Sequence, residues 1–67
     1  MTAGQFELLA DNEAEAVLLW RFENMTRAGV PVEEALVIAS HVEIDLHDAS
    51  ELLDRGCPPH LVVPILA

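Results

Sequence analysis

The chain has 67 residues, room for one domain, and a domain of this size buries only about 60% of the surface its unfolded form exposes. Twelve carboxylates stand against three arginines with no lysine, for a net charge of -9. Phosphate backbones and anionic membranes both require clustered cations, so the composition argues against direct nucleic-acid binding and membrane-surface binding. Apolar residues make up 52% of the chain, too many for a disordered acidic tail, and a packed, soluble domain is expected.

The first start signal is Thr2-Ala3-Gly4-Gln5, a hydroxyl three positions before a glutamine, which is the spacing of a capping box. It predicts a short helical turn over 6–10. A second signal, Asn12-Glu13-Ala14-Glu15, predicts a main helix over 13–28 that stops at Gly29, the residue best able to adopt a left-handed cap. Leu18, Phe22 and Met25, joined by Ala14 and Val17, form its core stripe, and Glu23 with Arg27 make an i,i+4 pair on the wet side. Leu9, Ala16, Leu19 and Trp20 fall outside that stripe as a second apolar band that something must cover.

Pro31 with Glu33 and Glu34 opens the next helix near Val32, and the apolar pattern carries it to about Val42. Asp45 is the expected N-cap of a helix over 46–55, with Asp48 three residues on as an imperfect capping box. Leu46, Ala49, Leu52 and Leu53 line its inner side, Glu51 pairs with Arg55, and Gly56 stops it. Pro58 and Pro59 then open a short segment over 58–66, interrupted or bent at Pro64. Its five aliphatics, Leu61, Val62, Val63, Ile65 and Leu66, are expected to pack on the Trp20 band, on Phe6 and Leu9, or on a second copy of the chain. Leaving them in water would forgo on the order of 1.5 to 3 kcal/mol each. The fold class is therefore all-α, a compact three-helix bundle in a single domain spanning 1–67, with a short N-terminal turn and a short C-terminal helix.

From Phe22 to Leu53 the residues fall in a family pattern: Phe22 and Met25, Ala28-Gly29-Val30, Glu33-Glu34-Ala35, Asp45-Leu46, Ala49 and Leu52-Leu53. This stretch, about half of the chain, resembles the ubiquitin-associated (UBA) three-helix domain and its UBA-like relatives, placing the core at about 17–55. The resemblance implies a UBA-like bundle that docks on a protein through the loop at Gly29 and Val30 and the end of the third helix at Leu52 and Leu53. Ala28 and Val30 stand where that family carries the large side chains of its ubiquitin-contacting surface, so the resemblance implies the fold more than ubiquitin binding and leaves the partner's identity open. Trp20-Arg21-Phe22, Ala28-Gly29, Asp45-Leu46-His47 and Gly56-Cys57-Pro58-Pro59 are also similar to a group of short actinobacterial proteins to which no activity is attached.

Candidate chemistry is sparse. Cys57 and His60 have a C-x-x-H spacing, with His41 and His47 upstream, but structural zinc sites carry a second closely spaced pair and this sequence has none. The expected reading is a half-buried turn cysteine and surface histidines, with no metal and no cofactor. A cysteine nucleophile with a histidine base needs a third orienting group and a cleft, for which so small a bundle has little room, so no enzyme is expected. One cysteine cannot form an internal disulfide, and the first residues lack the basic, apolar, small-residue order of a secretory signal, which sets the expected location as cytoplasmic.

The function expected is that of a protein-binding module or adaptor. Its candidate contact residues are Leu9, Leu19 and Trp20 of the second band, and Gly29, Val30, Leu52 and Leu53 of the UBA-like surface. A homodimer would cover the same band. The alternative is an acidic regulator or DNA-mimicking decoy of a basic protein, drawn from the cluster Glu7, Asp11, Glu13 and Glu15.

Overall fold

The computed structural model describes all 67 residues, as five α-helices and one 3-10 turn with no strand. The helices are α1 (Ala3–Glu7), α2 (Asp11–Arg27), α3 (Val32–Ser40), α4 (Leu46–Asp54) and α5 (Val62–Leu66), with the 3-10 turn at Pro59–Leu61. The all-α bundle expected from the sequence is the fold observed.

The helix starts follow local chemistry, with two shifts. The Thr2–Gln5 capping box forms on both sides, the Gln5 N–H donating to Thr2 Oγ1 at 3.1 Å and the Thr2 N–H to Gln5 Oε1 at 2.9 Å. It opens α1 at Ala3, so the turn expected over 6–10 lies earlier in the chain. The main helix α2 starts at Asp11, which leaves Asn12 inside the first turn rather than at its cap. Ala10 holds the cap position and has no side-chain acceptor, so only the return half of the box forms, from the Ala10 N–H to Glu13 Oε1 at 3.0 Å. Asp11 and Glu13 at the positive end of the helix dipole supply the rest. Asp45 caps α4 by accepting from the His47 N–H at 2.8 Å, whereas Asp48 makes no return bond.

Two of the three long helices stop on glycine. At Gly29 (φ 90°) the Val30 N–H bonds Met25 O and the Gly29 N–H bonds Thr26 O, the paired bonds of a Schellman cap. Gly56 (φ 91°) repeats the pattern through Cys57 to Leu52 O and Gly56 to Leu53 O.

The third helix has no glycine and ends by other means. It stops at Ser40, two residues before the expected Val42, because the chain turns at His41 and the Ile44 N–H closes back on His41 O. Ser40 Oγ donates to Leu36 O, and His41 Nδ1 lies 2.8 Å from Val37 O. The remaining carbonyls are taken by Arg21, which reaches across from α2. Its Nε donates to Ala39 O at 3.0 Å, and its Nη2 lies 3.3, 2.8 and 2.9 Å from Ile38 O, His41 O and Ile44 O. Arg21 is only 6% exposed and has no carboxylate within ion-pair distance. Burial lowers its pKa, and the nearby Glu43 and Asp45 oppose that shift. Arginine starts so far above neutrality that the guanidinium stays charged, and the carbonyl end of α3 is a favourable seat for a cation.

With that turn pinned, Val42 and Ile44 are buried, and Met25, Val30, Ala35, Ile38, Ile44, Ala49 and Val62 form the core. Phe22, Leu46, Leu53, Cys57, Val63 and Leu66 pack around it. Of the stripe expected on α2, Met25 is buried and Phe22 packs against the core, with Arg21 buried beside them, whereas Ala14 and Leu18 are only half-buried and Val17, also half-buried, lines an open groove. Leu36, at the middle of α3, faces outward.

The C-terminal segment departs most from expectation. Its helix breaks before Val62, between the 3-10 turn and α5, and not at Pro64. Pro64 is the third residue of α5, in the first turn, where an N–H has no helical acceptor to lose. The segment packs on α3 and α4, with Val62 wholly buried, and leaves the Trp20 band uncovered. Leu61 and Ile65 remain exposed.

Two stability predictions follow from these caps. A chain of this size has about 3 to 10 kcal/mol of stability in total, and Arg21→Lys cannot reproduce the planar fork that serves four carbonyls. The variant is expected to lose about 2 kcal/mol or more in urea unfolding followed by circular dichroism. Gly56→Ala meets no neighbour within 4 Å, so its cost is backbone strain alone and is expected near 1 kcal/mol in the same measurement.

Candidate functional site

The open face of α2 is the principal concavity of the molecule. A groove of about 610 Å³ is lined by Met1, Ala16, Val17, Trp20, Arg21, Asp45, Leu46 and His47. Ala16 and Trp20 are four residues apart and lie one above the other on α2, with Val17 beside them. Leu46 and His47 come from the first turn of α4. Arg21 pins the segment between α3 and α4 against α2, and so sets the width of the groove through the backbone at Ile44.

The lining is mostly apolar, with Arg21, Asp45 and His47 as its polar members. Trp20 is 59% exposed, so its ring lies at the surface of the groove rather than in the core. Arg21 contributes its remaining nitrogen: Nε and Nη2 make all four internal bonds, while Nη1 has none and reaches solvent. Asp45 and His47 stand next to it, with Asp45 already engaged as the α4 cap.

Other residues singled out in the sequence are scattered. Leu19 is exposed and Leu9 half-buried, and neither lines the groove. Of the UBA-like surface, Gly29 is exposed, Val30 is buried in the core, Leu52 is half-buried and Leu53 packs against the core. Val30 therefore offers little side chain to a partner. The groove residues that sequence reasoning missed are Met1, Val17, Arg21, Asp45, Leu46 and His47. Their signal was weak, because an arginine at a core-stripe spacing on α2 is ordinarily read as a solvated cation.

The histidines and the cysteine do not converge. His41 bonds Val37 O, His47 is in the Trp20 groove, and Cys57 Sγ donates to Pro58 O at 3.4 Å. His60 lines a smaller cavity of about 270 Å³ with Glu33, Glu34, Val37, Ile38, Pro59 and Val63. No three His, Cys, Asp or Glu side chains are grouped to hold a metal ion, and no helix is long and apolar enough to cross a membrane. No family model, curated protein or solved structure matches the chain.

The exposure of Trp20 is directly measurable, since it is the sole tryptophan and there is no tyrosine. Its fluorescence is expected to be that of a water-exposed indole and to be quenched readily by acrylamide. A blue-shifted, shielded emission at micromolar concentration that reddens on dilution would show a second chain seated there.

Proposed function

We propose that this chain is a small, non-enzymatic, cytoplasmic interaction module of UBA-like type, which docks a partner protein through the apolar face of α2 at Trp20. The observation that carries this reading is that the C-terminal aliphatics, the natural cover for that face, pack on α3 and α4 instead and leave the Trp20 groove open. Tryptophan is the residue most enriched among binding hot spots, and an aromatic at the lip of an apolar groove is the usual form of one. Leu19, also exposed, extends the apolar area on the same helix. Leu52 and Gly29 remain accessible as a second contact area.

Parallel capture from cytoplasm with the parent chain and with Trp20→Ala tests this reading, followed by titration of any recovered partner in purified form. Because Trp20 is mostly exposed, the variant is expected to unfold within about 0.5 kcal/mol of the parent, yet to bind at least thirtyfold more weakly, as loss of an interface anchor of about 2 kcal/mol requires. A partner held equally well by the variant would overturn the assignment of the groove.

A second reading, an acidic regulator or decoy of a basic protein, is favoured by the charge pattern. Arg27 pairs with Glu23 and Arg55 with Glu51, each at 3.7 Å, while Arg21 is turned inward. The other carboxylates have no cation in ion-pair reach. A decoy binds by distributed charge, so its complex is expected to weaken steeply with added salt and to be indifferent to Trp20→Ala.

A further inference from the structure

We infer that the Trp20 groove takes a basic amphipathic segment of a partner protein, with large apolar side chains on Ala16, Val17, Trp20 and Leu46 and Lys or Arg side chains against the carboxylates around them. This rests on the groove being a docking surface and adds the chemistry of what docks. Three observations carry it.

The first is the charge around the groove. Asp45 stands in its wall. Glu13 precedes Ala16 and Val17 by three and four residues and is exposed on the same face of α2. Glu43, also exposed, adjoins Asp45 in the connection that Arg21 pins.

The second is that the chain's own arginines offset these charges only in part, since Arg21 is near Glu43 and Asp45 but forms an ion pair with neither. Arg27 and Arg55 are bound to glutamates elsewhere on their helices, and Arg21 is committed to the end of α3. A second copy of the chain, itself of net charge -9, would be repelled as a whole, and an acidic ligand would meet the same repulsion. A basic segment is attracted, and salt screens that attraction.

The third is Arg21 Nη1, which makes no hydrogen bond within the chain and is not fully shut off from solvent, on a groove-lining residue that is only 6% exposed. A partner backbone carbonyl satisfies it without adding negative charge. The groove volume of about 610 Å³ accommodates a few side chains of a peptide rather than a domain.

The test uses the intact chain, with Trp20 as the reporter. The probes are three synthetic amphipathic peptides free of Trp and Tyr: Leu, Ala and Lys; the same with Gln for Lys; and the same with Glu for Lys. The Lys peptide is expected to blue-shift Trp20 emission and to move the amide signals of Ala16, Val17 and Leu46, while the Glu peptide does neither. Asp45→Asn keeps the α4 cap, since asparagine caps as well as aspartate, and Glu13→Gln keeps an acceptor for the Ala10 N–H. The double variant is expected to bind the Lys peptide about two- to tenfold more weakly, with a shallower salt dependence.

If the Gln peptide binds as tightly as the Lys peptide, the basic character of the partner is overturned while the docking reading stands. If the Lys peptide binds without changing Trp20 emission or those amides, the groove is not its seat, and distributed charge explains the binding instead. If sedimentation shows the parent chain to be a dimer with Trp20 already shielded, a second copy holds the groove and the inference fails.

Discussion

The end of α3 is held by a side chain that belongs to α2. Arg21 collects the carbonyls of Ile38, Ala39, His41 and Ile44, which a glycine turn would otherwise have had to satisfy within the chain. The alternative for those carbonyls is burial without donors, at about 1 to 3 kcal/mol each. One guanidinium therefore does three things. It terminates α3, fixes the approach of α2 to α3, and folds Val42 and Ile44 into the interior. Lysine, with a single point of donation, could not span the same four oxygens, which is the physical reason for arginine here.

The core that this arrangement closes is small: ten of 67 residues are buried. Its largest fully buried side chains, Met25, Ile38 and Val62, come from α2, α3 and α5, so the last helix is an integral wall of the core. That role fixes where the C-terminal aliphatics go. Committed to α3 and α4, they cannot also cover the flank of α2, and Ala16, Leu19 and Trp20 stay in contact with water. The open groove is thus a by-product of how the core is completed, and it persists because Arg21 keeps α2 and the α4 start in register.

Charge and apolar surface then meet at one place. Asp45 serves as the cap of α4 and as a carboxylate in the groove wall, while Arg21 belongs both to the α3 end and to the groove lining. The residues that shape the cavity are those that hold the bundle together, whereas Trp20 itself makes no structural demand.

The sequence by itself determined the helices, because their signals are local. Thr2 with Gln5, Asp45 before Leu46, and Gly29 and Gly56 at the stops each act within four residues, and the spacing of Leu18, Phe22 and Met25 sets the inward face of α2. Only the tertiary structure decided the end of α3, the burial of Arg21 and the fate of the C-terminal segment. Those outcomes depend on partners 17 to 23 residues away, or on which of two apolar surfaces reaches α5 first in space, and no short-range pattern encodes either. The site was half legible for the same reason. Trp20 and Ala16 stood out as an apolar pair one turn apart, but Arg21, Asp45, Leu46 and His47 joined them only when the pinned connection between α3 and α4 was brought against α2.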